Sequence, residues 1–445
     1  MPRFELKKTA KTNVKKTSKK TAAPTTAPTT APTASAKPTA PAKKVAKKAT
    51  KTAAAGSGAG KPSDARKSSV AAAKPAPAKK TRRKKQDTST KLMGMAKAVA
   101  TYAKAGEDPG FDIPTRSLSN AAFDEKKKII TMGDAAQRRN FFNLGQAKKF
   151  MQTMLIASGC KELADQGKST SIRDMYYHTK HTIKGTKENT FDDQSESDPI
   201  IEDLEVTIGS IREELGMFAE NRGSMVGPMT IVDSGDTIDL TRMGSGGWTV
   251  PSIVEDGVIQ FKKHSAKYIL LIEKGAVWNR FNQDRYWEKE NCMIVHGGGQ
   301  PPRGVRRLVY RMHTELKLPV YVLTDNDPWG YYIYSVVKQG SINLAFESQR
   351  MAIPGARFLG MSAFDRQTFD ISDSATIELN SKDVNRAKEI MAYPWFAKKK
   401  AWQKEIGQML KSGVKMELEA FSSKDFSFIT EEYLPQKMKK KQWLD

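Results

Sequence analysis

Apolar positions recur at two different spacings along the chain, and the change of spacing separates two regions. From about residue 146 to 218 the spacing is helical, whereas from about residue 267 short apolar runs alternate with helical stretches. The first region predicts a helix over 146–163, a second helix that begins after Ser171 as N-cap with Asp174 three residues later, and an amphipathic helix over 204–218. Three helices followed by a hairpin-like stretch predict a winged-helix module, a fold that places a helix against duplex DNA.

The second region predicts alternating strands and helices. The expected strands cover 267–273, 292–295, 320–323, 342–346 and 358–361, and the expected helices cover 276–290, 305–316, 331–337, 384–391 and 402–410. Elements of this length in this order form a parallel sheet with right-handed crossovers. Ligands of such sheets lie at the carboxyl ends of the strands.

The predicted fold class is therefore α/β plus a winged-helix module. We expect four segments: a disordered basic tail (1–91), a partly ordered extension broken by Gly and Pro (92–145), the winged-helix module (146–232), and the α/β domain with C-terminal helices (233–445). A length of 445 residues fits two or three folded domains.

Composition excludes several classes of protein. No apolar run approaches the ~18–20 residues of a membrane span, and no apolar stretch follows the basic N-terminus, so we expect an intracellular protein without membrane contact. Two cysteines, Cys160 and Cys292, are too few for a disulfide framework, and no Cys/His cluster has zinc-ligand spacing. Any metal must therefore be held by oxygen.

Most of the charge lies at the N-terminus. Of the formal +25, residues 1–90 carry +21 from 24 Lys and Arg against three acidic residues, which leaves +4 for residues 91–445. This Lys, Ala, Pro and Thr segment is too poor in apolar residues to fold. Its densest basic run contains Lys79, Lys80, Arg82 and Arg83 and predicts sequence-independent binding to DNA phosphates; a solvated linker is the alternative.

Carboxylates follow two of the predicted strands. Glu273 closes the first strand, and Asp325 and Asp327 follow a later one. Because these ends meet at one edge of a parallel sheet, the three carboxylates would repel one another unless a cation lay between them, and oxygen ligands favour Mg²⁺. The sequence predicts a magnesium site; capping of the following helices is the alternative.

The connection over 296–307 is rich in glycine and carries three arginines, Arg303, Arg306 and Arg307. Backbone N–H groups at a helix N-terminus and guanidinium groups both suit phosphate oxygens, so these arginines are candidate DNA contacts. The connection is not a nucleotide-binding loop, since it matches neither Gly-Lys-Ser/Thr nor Gly-x-Gly-x-x-Gly. A mobile surface turn is the alternative.

A pair of tyrosines, Tyr176 and Tyr177, lies on the second predicted helix. A tyrosine can attack phosphorus, but its free pKa of about 10 means that it needs a nearby cation or base at neutral pH. Arg173 lies one turn before Tyr177 and on the same face. On spacing alone, paired helical tyrosines are more often core residues.

Several pieces of the sequence, in order, resemble the A subunit of DNA topoisomerase VI, the type IIB family that shares its fold with the meiotic double-strand-break transesterase. They are SIRDMYY (171–177), EDLE (202–205), RGSMVG (222–227), IEKGA (272–276), GQPPRG (299–304) and DNDPWG (325–330). The likeness runs from about residue 140 to the C-terminus and does not include the basic tail. It implies a CAP-like winged helix and a Toprim-type sheet domain, Tyr177 as nucleophile assisted by Arg173, and Glu273, Asp325 and Asp327 as metal ligands.

The resemblance also implies partners. Two copies of the chain would act on one duplex, each tyrosine joining a 5′ end and working with the metal site of the other protomer, while a second duplex passes through the break. ATP would be bound by a separate GHKL-type B subunit in an A2B2 heterotetramer, with the segment before residue 140 as candidate docking region. We expect the protein in the cytoplasm, associated with the nucleoid. Two alternatives stay open: a break-making transesterase without strand passage, and a DNA-compacting protein that acts through its tail.

Overall fold

The computed structural model describes residues 87–445. The predictions for residues 1–86 of the basic tail, and for Lys79, Lys80, Arg82 and Arg83 as DNA contacts, fall outside this range. The predicted boundary of the disordered tail at residue 91 was wrong, because a helix begins at Thr88. No helix within residues 87–445 is long and apolar enough to cross a membrane.

The segment before the tyrosine-bearing helices contains a long helix and two small antiparallel sheets. Helix α1 (Thr88–Lys104) is followed by β1 (Gly110–Pro114), β2 (Ala121–Asp124), β3 (Ile129–Met132) and β4 (Ala136–Asn140), and β1 pairs with β4 and β2 with β3. The expectation that Gly and Pro prevent any long element here was wrong, because α1 has 17 residues and ends before Gly106. Leu92 is buried with Ile156 and Cys160, so tertiary packing stabilises this helix.

The part of the chain that contains the predicted nucleophile consists of three helices and two short strands. They are α2 (Leu144–Gln166), α3 (Ile172–Thr179) and α4 (Gln194–Ile208), and the short strands β5 (Thr170–Ser171) and β6 (Met217–Phe218) pair beside them. The first two helices were predicted, including the Ser171 cap, whose hydroxyl accepts from the Asp174 N–H at 2.9 Å. The predicted third helix, 204–218, was wrong: α4 begins ten residues earlier and stops where Gly209 turns left-handed, with φ 59°.

The hairpin expected to form the wing of the winged-helix module does not pair with strands of that module. The next strands are β7 (Ser224–Val226), β8 (Met229–Asp233), β9 (Asp236–Asp239), β10 (Trp248–Thr249) and β11 (Ile259–His264). Strands β8 and β9 form a hairpin with Ser234 and Gly235 at positive φ in its turn, but this hairpin pairs with β11 in a three-stranded sheet. The winged-helix, CAP-like assignment is therefore not confirmed.

The predicted parallel sheet is confirmed. Its six strands lie in the order β10-β7-β13-β12-β14-β15, where β12 is Ile269–Ile272, β13 is Met293–His296, β14 is Val320–Leu323 and β15 is Arg357–Gly360. The last four run parallel, and β7 and β10 add antiparallel pairings at one side. Strands β12 and β14 are buried on both faces, which explains their continuous apolar runs.

Helices cover both faces of this sheet. They are α5 (Gly275–Gln283), α6 (Tyr286–Lys289), α7 (Arg303–Leu316), α8 (Pro328–Gln339), α9 (Ser348–Met351), α10 (Asp365–Thr368), α11 (Ser381–Ala392), α12 (Pro394–Ala397), α13 (Lys400–Ser412) and α14 (Leu434–Lys439), with short strands β16 (Ile377–Glu378) and β17 (Val414–Lys415). The helix predicted over 276–290 is broken where Arg285 takes a φ of 50°. The strand predicted over 342–346 was wrong: the segment leads into a 3₁₀ turn, Ala345–Glu347, whose Glu347 points inward to Arg303.

The core lies in two layers separated by the sheet. Along β12, Ile269 and Leu271 pack into one apolar cluster, and Leu270 and Ile272 pack into the other. The sheet is thus fixed from both sides, and this holds the strand ends that carry the acidic residues.

Candidate active site

Helix α3 exposes one tyrosine and buries the other. Tyr176 is only 6% exposed, whereas Tyr177 keeps 60% of its surface exposed. Successive helical residues point about 100° apart, so Met175 and Tyr176 face the core while Tyr177 faces outward. Spacing alone predicted that both tyrosines are core residues. This is correct for Tyr176 and wrong for Tyr177.

The buried tyrosine fixes α3 to the neighbouring loop. Its hydroxyl donates to the Asp192 carbonyl oxygen at 3.1 Å and accepts from the Lys180 ammonium at 2.7 Å. Its ring packs edge to face against Tyr177 with centroids 5.0 Å apart. Tyr176 thus supports the helix from which Tyr177 projects.

Two cations lie near Tyr177. Arg173 is exposed one turn before it on α3, at the spacing that brings two side chains to one face. The pKa of Lys180 is raised, chiefly by its hydrogen bond to Tyr176, and the charges of Asp192 and Tyr177 contribute. Lys180 therefore stays protonated beside the exposed phenol. Sequence analysis overlooked Lys180, although its spacing of three residues from Tyr177 was an available signal.

The predicted carboxylates lie at the carboxyl ends of two neighbouring strands. Glu273 directly follows β12, and Asp325 and Asp327 follow β14, which pairs with β12 in parallel. The backbone N–H of Asp325 donates to Glu273 Oε2 at 3.1 Å, which ties the two strand ends together. We call this region, defined by Glu273, Asp325 and Asp327, the carboxylate edge.

Each aspartate is oriented by a backbone donor. Asp325 Oδ1 accepts from the Leu418 N–H at 2.8 Å, and Asp327 Oδ1 accepts from the Gly330 N–H at 2.6 Å. The second contact caps α8, so the helix-capping alternative holds for Asp327. Capping uses one of its two oxygens, which leaves the carboxylate able to serve as a ligand.

A lysine next to Glu273 provides the local positive charge. The ammonium of Lys274 lies 2.9 Å from Asp325 Oδ2, and 3.1 Å and 2.9 Å from carboxylate oxygens of Glu417 and Glu419. Sequence analysis did not single out Lys274 or these two glutamates. The glutamates come from a distant part of the chain, and only the fold brings them to this edge.

The electrostatics of the carboxylate edge favour a further cation. Burial, followed by the negative charge of Asp325, raises the pKa of Glu273 to about 7. Burial raises the pKa of Asp325 to about 6 despite the Leu418 hydrogen bond and the Lys274 ammonium, and burial also raises the pKa of Asp327. A divalent cation would stabilise all three ionised forms.

The donors at this edge fit Mg²⁺ in chemistry and position. All three are oxygen donors, and they lie where ligands of parallel sheets bind. Within residues 87–445, however, no group of three or more His, Cys, Asp or Glu side chains is close enough to share a metal ion. The carboxylates would therefore have to move toward one another to coordinate one.

A histidine that sequence analysis did not assign completes this edge. His296 lies at the end of β13, which runs in the same direction as β12, and its Nδ1 is buried with no hydrogen-bond partner in the described part of the chain. Burial lowers its pKa, so the neutral imidazole is favoured.

The three arginines predicted to contact DNA lie inside the protein or are bound by other residues. Arg303 and Arg306 are 6% and 4% exposed. Arg307 is bound by both oxygens of Glu255, at 3.1 Å and 2.8 Å. Their positions do not support the prediction that they contact DNA phosphates. The sequence pattern could not distinguish a basic surface from arginines paired with distant acids.

Arg303 instead joins the helical part to the sheet domain. Its two terminal nitrogens lie 3.0 Å from the carboxylate of Glu205 on α4, and it also contacts Glu347. Burial raises the pKa of Glu205 to about 7 even though the Arg303 charge opposes this shift. The pair is buried on both sides, so each charge depends on the other.

The predicted nucleophile and the predicted metal ligands are not in contact. No hydrogen bond or ion pair joins Tyr177 or Arg173 to the carboxylate edge anywhere in residues 87–445. The structure thus brings the three carboxylates to one edge, and the exposed Tyr177 does not bond to any of them within the described residues.

Three family models match consecutive parts of the chain. A type IIB DNA topoisomerase model matches residues 148–217, and a model of the all-beta domain in the DNA topoisomerase VI alpha subunit matches 219–265. A model of the Toprim domain shared by the topoisomerase 6 A subunit and Spo11 matches 268–438. The first match contains Tyr177, and the last contains the four parallel strands and the carboxylate edge. Fold and matches define a type IIB DNA topoisomerase.

Relatives matched over most of their length give the narrower assignment. The chain is 44% identical over 359 residues to the A subunit of type 2 DNA topoisomerase 6 from Pyrococcus horikoshii, covering 78% of this chain and 93% of that protein. The proteins of the same name from Aeropyrum pernix and Methanocaldococcus jannaschii are 40% and 34% identical, each over 356 residues, with 76% and 78% of this chain and 91% and 94% of those proteins covered. The chain belongs to the family of topoisomerase 6 A subunits.

Proposed function

We propose that this chain is the subunit that cuts and rejoins both strands of duplex DNA in an ATP-dependent type IIB topoisomerase, which relaxes or decatenates DNA by strand passage. The observation that carries the proposal is the exposed Tyr177 beside Arg173 and Lys180, on a chain whose Toprim domain holds three carboxylates at one sheet edge. An exposed phenol next to two cations is suited to attack an anionic phosphate diester.

The proposed reaction is a reversible transesterification. Tyr177 Oη attacks a backbone phosphorus, a bond from Oη to phosphorus forms, and the bond from phosphorus to the 3′ oxygen breaks. The phenol proton leaves to solvent, the 3′ oxygen takes up a proton, and the protein stays joined to the 5′ end. Attack by the 3′ hydroxyl reverses these steps. Arg173 and Lys180 stabilise the phenolate and the charge that develops on the phosphate oxygens.

Glu273, Asp325 and Asp327 would hold Mg²⁺ in this reaction. When bound, the ion would neutralise charge on the phosphate oxygens. Lys274 also supplies positive charge at this edge, since its ammonium lies 2.9 Å from Asp325 Oδ2. That charge limits the repulsion among the carboxylates.

The separation of Tyr177 from the carboxylate edge supports action as a homodimer. Because the two groups are not in contact within one chain, the tyrosine of one copy would work at the carboxylate edge of the second copy. The sequence has no Gly-x-x-x-x-Gly-Lys-Ser/Thr motif for ATP, and we propose that a GHKL-type B subunit binds ATP in an A2B2 complex. Residues 92–145 are the candidate docking region, and the complex would act on nucleoid DNA in the cytoplasm.

A comparison of the two neighbouring tyrosines tests this function. In the complex with its B subunit, ATP and Mg²⁺, Tyr177→Phe is expected to abolish covalent DNA capture and relaxation, because no oxygen remains to attack phosphorus. Tyr176→Phe is the matched control, since it removes one hydroxyl from the same helix and costs about 1 kcal/mol of stability through its lost hydrogen bonds. Denaturant-trapped protein–DNA complexes on supercoiled plasmid measure the capture.

Equal capture by Tyr177→Phe and the unchanged protein would refute the proposed nucleophile. Measurements of covalent capture and of DNA relaxation also distinguish the two alternative functions. A transesterase without strand passage would give Tyr177-dependent capture and no ATP-dependent relaxation, whereas a compacting protein would give neither.

A further inference from the structure

The chain contains three Lys-Lys-Lys runs, and all three lie within the described residues. They are 126–128, 398–400 and 439–441. The first lies in the turn between β2 and β3, the second follows α12 and ends at the first residue of α13, and the third begins at the last residue of α14. All nine side chains are exposed except Lys399, which is half-buried. The runs belong to separate elements of the chain, so only the fold decides whether they meet.

The first two runs are joined by direct contacts. Lys398 Nζ lies 2.7 Å from an oxygen of Glu125, the residue before the first run. Behind this contact the rings of Phe123 and Trp395 pack with centroids 5.8 Å apart. The β2–β3 hairpin is therefore held against α12, with both lysine runs at the same end.

The third run reaches the same place through the C-terminal residues. Leu444 pairs with Phe358 at the start of β15 through two backbone hydrogen bonds, 2.9 Å and 3.1 Å long. Asp445 Oδ1 then lies 2.5 Å from Lys399 Nζ of the second run. Lys441 is four residues from Asp445, so their Cα atoms lie within about 14 Å of each other.

A buried lysine at the end of α8 lies within reach of charges from two of the runs. The pKa of Lys338 is lowered to about 8, chiefly by burial; the positive charges of Lys399, Lys128 and Arg357 also lower it, while Asp445 raises it. Lys128 and Lys399 come from different runs, so their charges act at one point of the structure. Lys338 is held by the carbonyl oxygens of Pro354 and Ala356, 2.6 Å and 2.7 Å away.

This cluster lies at the edge of the sheet opposite the predicted metal ligands. Phe358 is in the first half of β15, whereas Glu273 and Asp325 follow the ends of β12 and β14, which run parallel to it. Phe358 pairs with Val322, three residues before Asp325, so about 10 Å of strand separates the two places. We call the surface formed by the three runs the lysine edge.

Few carboxylates offset the charge of the lysine edge. The triplet lysines contact Glu125 and Asp445, and Lys127 lies 3.9 Å from Asp124. The Asp124 carboxylate is also held by the N–H groups of Lys126 and Lys127, at 2.9 Å and 3.0 Å. Of the nine lysines, Lys127, Lys398 and Lys399 are the ones with a carboxylate partner within residues 87–445, a balance that favours a polyanion.

We propose that the lysine edge binds the phosphate backbone of duplex DNA outside the segment that Tyr177 cleaves. Ammonium groups on flexible stems neutralise phosphates without reading bases, so binding there is independent of sequence and sensitive to salt. The DNA is either the flank of the cleaved duplex or a separate duplex. The inference takes only the DNA substrate from the proposed function, and it does not depend on which tyrosine is the nucleophile.

The experiment changes one run at a time in the full chain. Each triple variant, such as Lys126→Gln with Lys127→Gln and Lys128→Gln, is compared with a control that replaces Lys262, Lys263 and Lys267, three exposed lysines near β11. Thermal unfolding confirms that each variant is folded. Binding is measured as a function of salt with a short duplex that covers only the cleavage site and with a duplex several times longer. In a third arm, complexes on an immobilised short duplex capture a second, labelled short duplex.

Each triplet variant is expected to lower the salt slope for the long duplex by up to ~3, while binding and cleavage of the short duplex change less than about twofold. Loss of binding to the long duplex alone identifies the flank as the ligand, and loss of capture identifies a separate duplex. The proposal is overturned if the triplet variants match the control on the long duplex and in capture. Failure of cleavage by the unchanged protein would count against the proposed function and leave the binding result standing.

Discussion

The tyrosine helix and the carboxylate edge differ most in how far each is open to solvent. Tyr177 is 60% exposed on a helix that its buried neighbour fixes in place, whereas Asp325 is 5% exposed and is held by a backbone N–H and a lysine. One region presents a reactive group, and the other protects charged groups within the protein.

This difference fits the roles that we propose for the two regions. A nucleophile must reach a phosphorus on a large duplex, so it has to project from a convex surface. Ligands for a cation have to be oriented before it binds. They also have to be shielded from water, because water weakens the electrostatic attraction between the carboxylates and the ion. In the proposed function the two regions act together, and we expect different results when each one is altered.

Apart from the loss of Tyr177 itself, the largest effect is expected from removing a carboxylate at the sheet edge. Asp325→Ala or Glu273→Ala should lower Mg²⁺-dependent DNA cleavage by about 10²–10³-fold, the range for loss of one group that stabilises transition-state charge. Cleavage is measured at several Mg²⁺ concentrations. Glu417→Ala is the matched control, because it also contacts Lys274 but does not follow a strand of the sheet. Unchanged cleavage by both Asp325→Ala and Glu273→Ala would refute the predicted metal site.

The next largest effect concerns the connection between the two regions. Arg303→Met leaves Glu205 buried without its partner and should lower the free energy of unfolding by about 3–5 kcal/mol. Arg307→Met, at a less buried ion pair, should cost about 1 kcal/mol or less. Urea denaturation measures both. Equal, small losses would show that the buried pair does not hold the helical part to the sheet domain.

A smaller effect is expected from the lysine at the carboxylate edge. Lys274→Met removes the cation that lies 2.9 Å from Asp325, so Mg²⁺ should bind about tenfold more tightly, which corresponds to about 1.4 kcal/mol. Calorimetric titration with Mg²⁺ measures the affinity without DNA. Lys289→Met, at an exposed lysine near Glu431, is the control. Weaker binding in Lys274→Met would mean that the lysine organises the ligands instead of competing with the metal.

Much of the fold could be predicted because local pattern and tertiary structure agree there. The continuous apolar runs of β12 and β14 match strands that are buried on both faces, and the Ser171 cap marks the start of α3. The misplaced end of α4 came from a glycine whose left-handed backbone outweighs the apolar spacing beyond it. The strand expected over 342–346 failed because Glu347 is drawn inward by Arg303.

The candidate site was predictable only in part, for a related reason. Residues that follow strands, such as Glu273 and Asp325, share an edge by topology, so their grouping could be inferred from the sequence. The burial of Arg303, the approach of Glu417 to Lys274 and the meeting of the lysine runs depend on contacts between distant residues. No local pattern reports such contacts.

The most direct test of the account is to locate the covalent bond to DNA. After cleavage is trapped and the DNA is digested, trypsin should release the peptide 174–180, which contains both tyrosines, and fragmentation in a mass spectrometer assigns the nucleotide adduct to one of them. The account predicts the adduct on Tyr177, attached through a 5′ phosphate. An adduct on Tyr176 or on any other residue would contradict it.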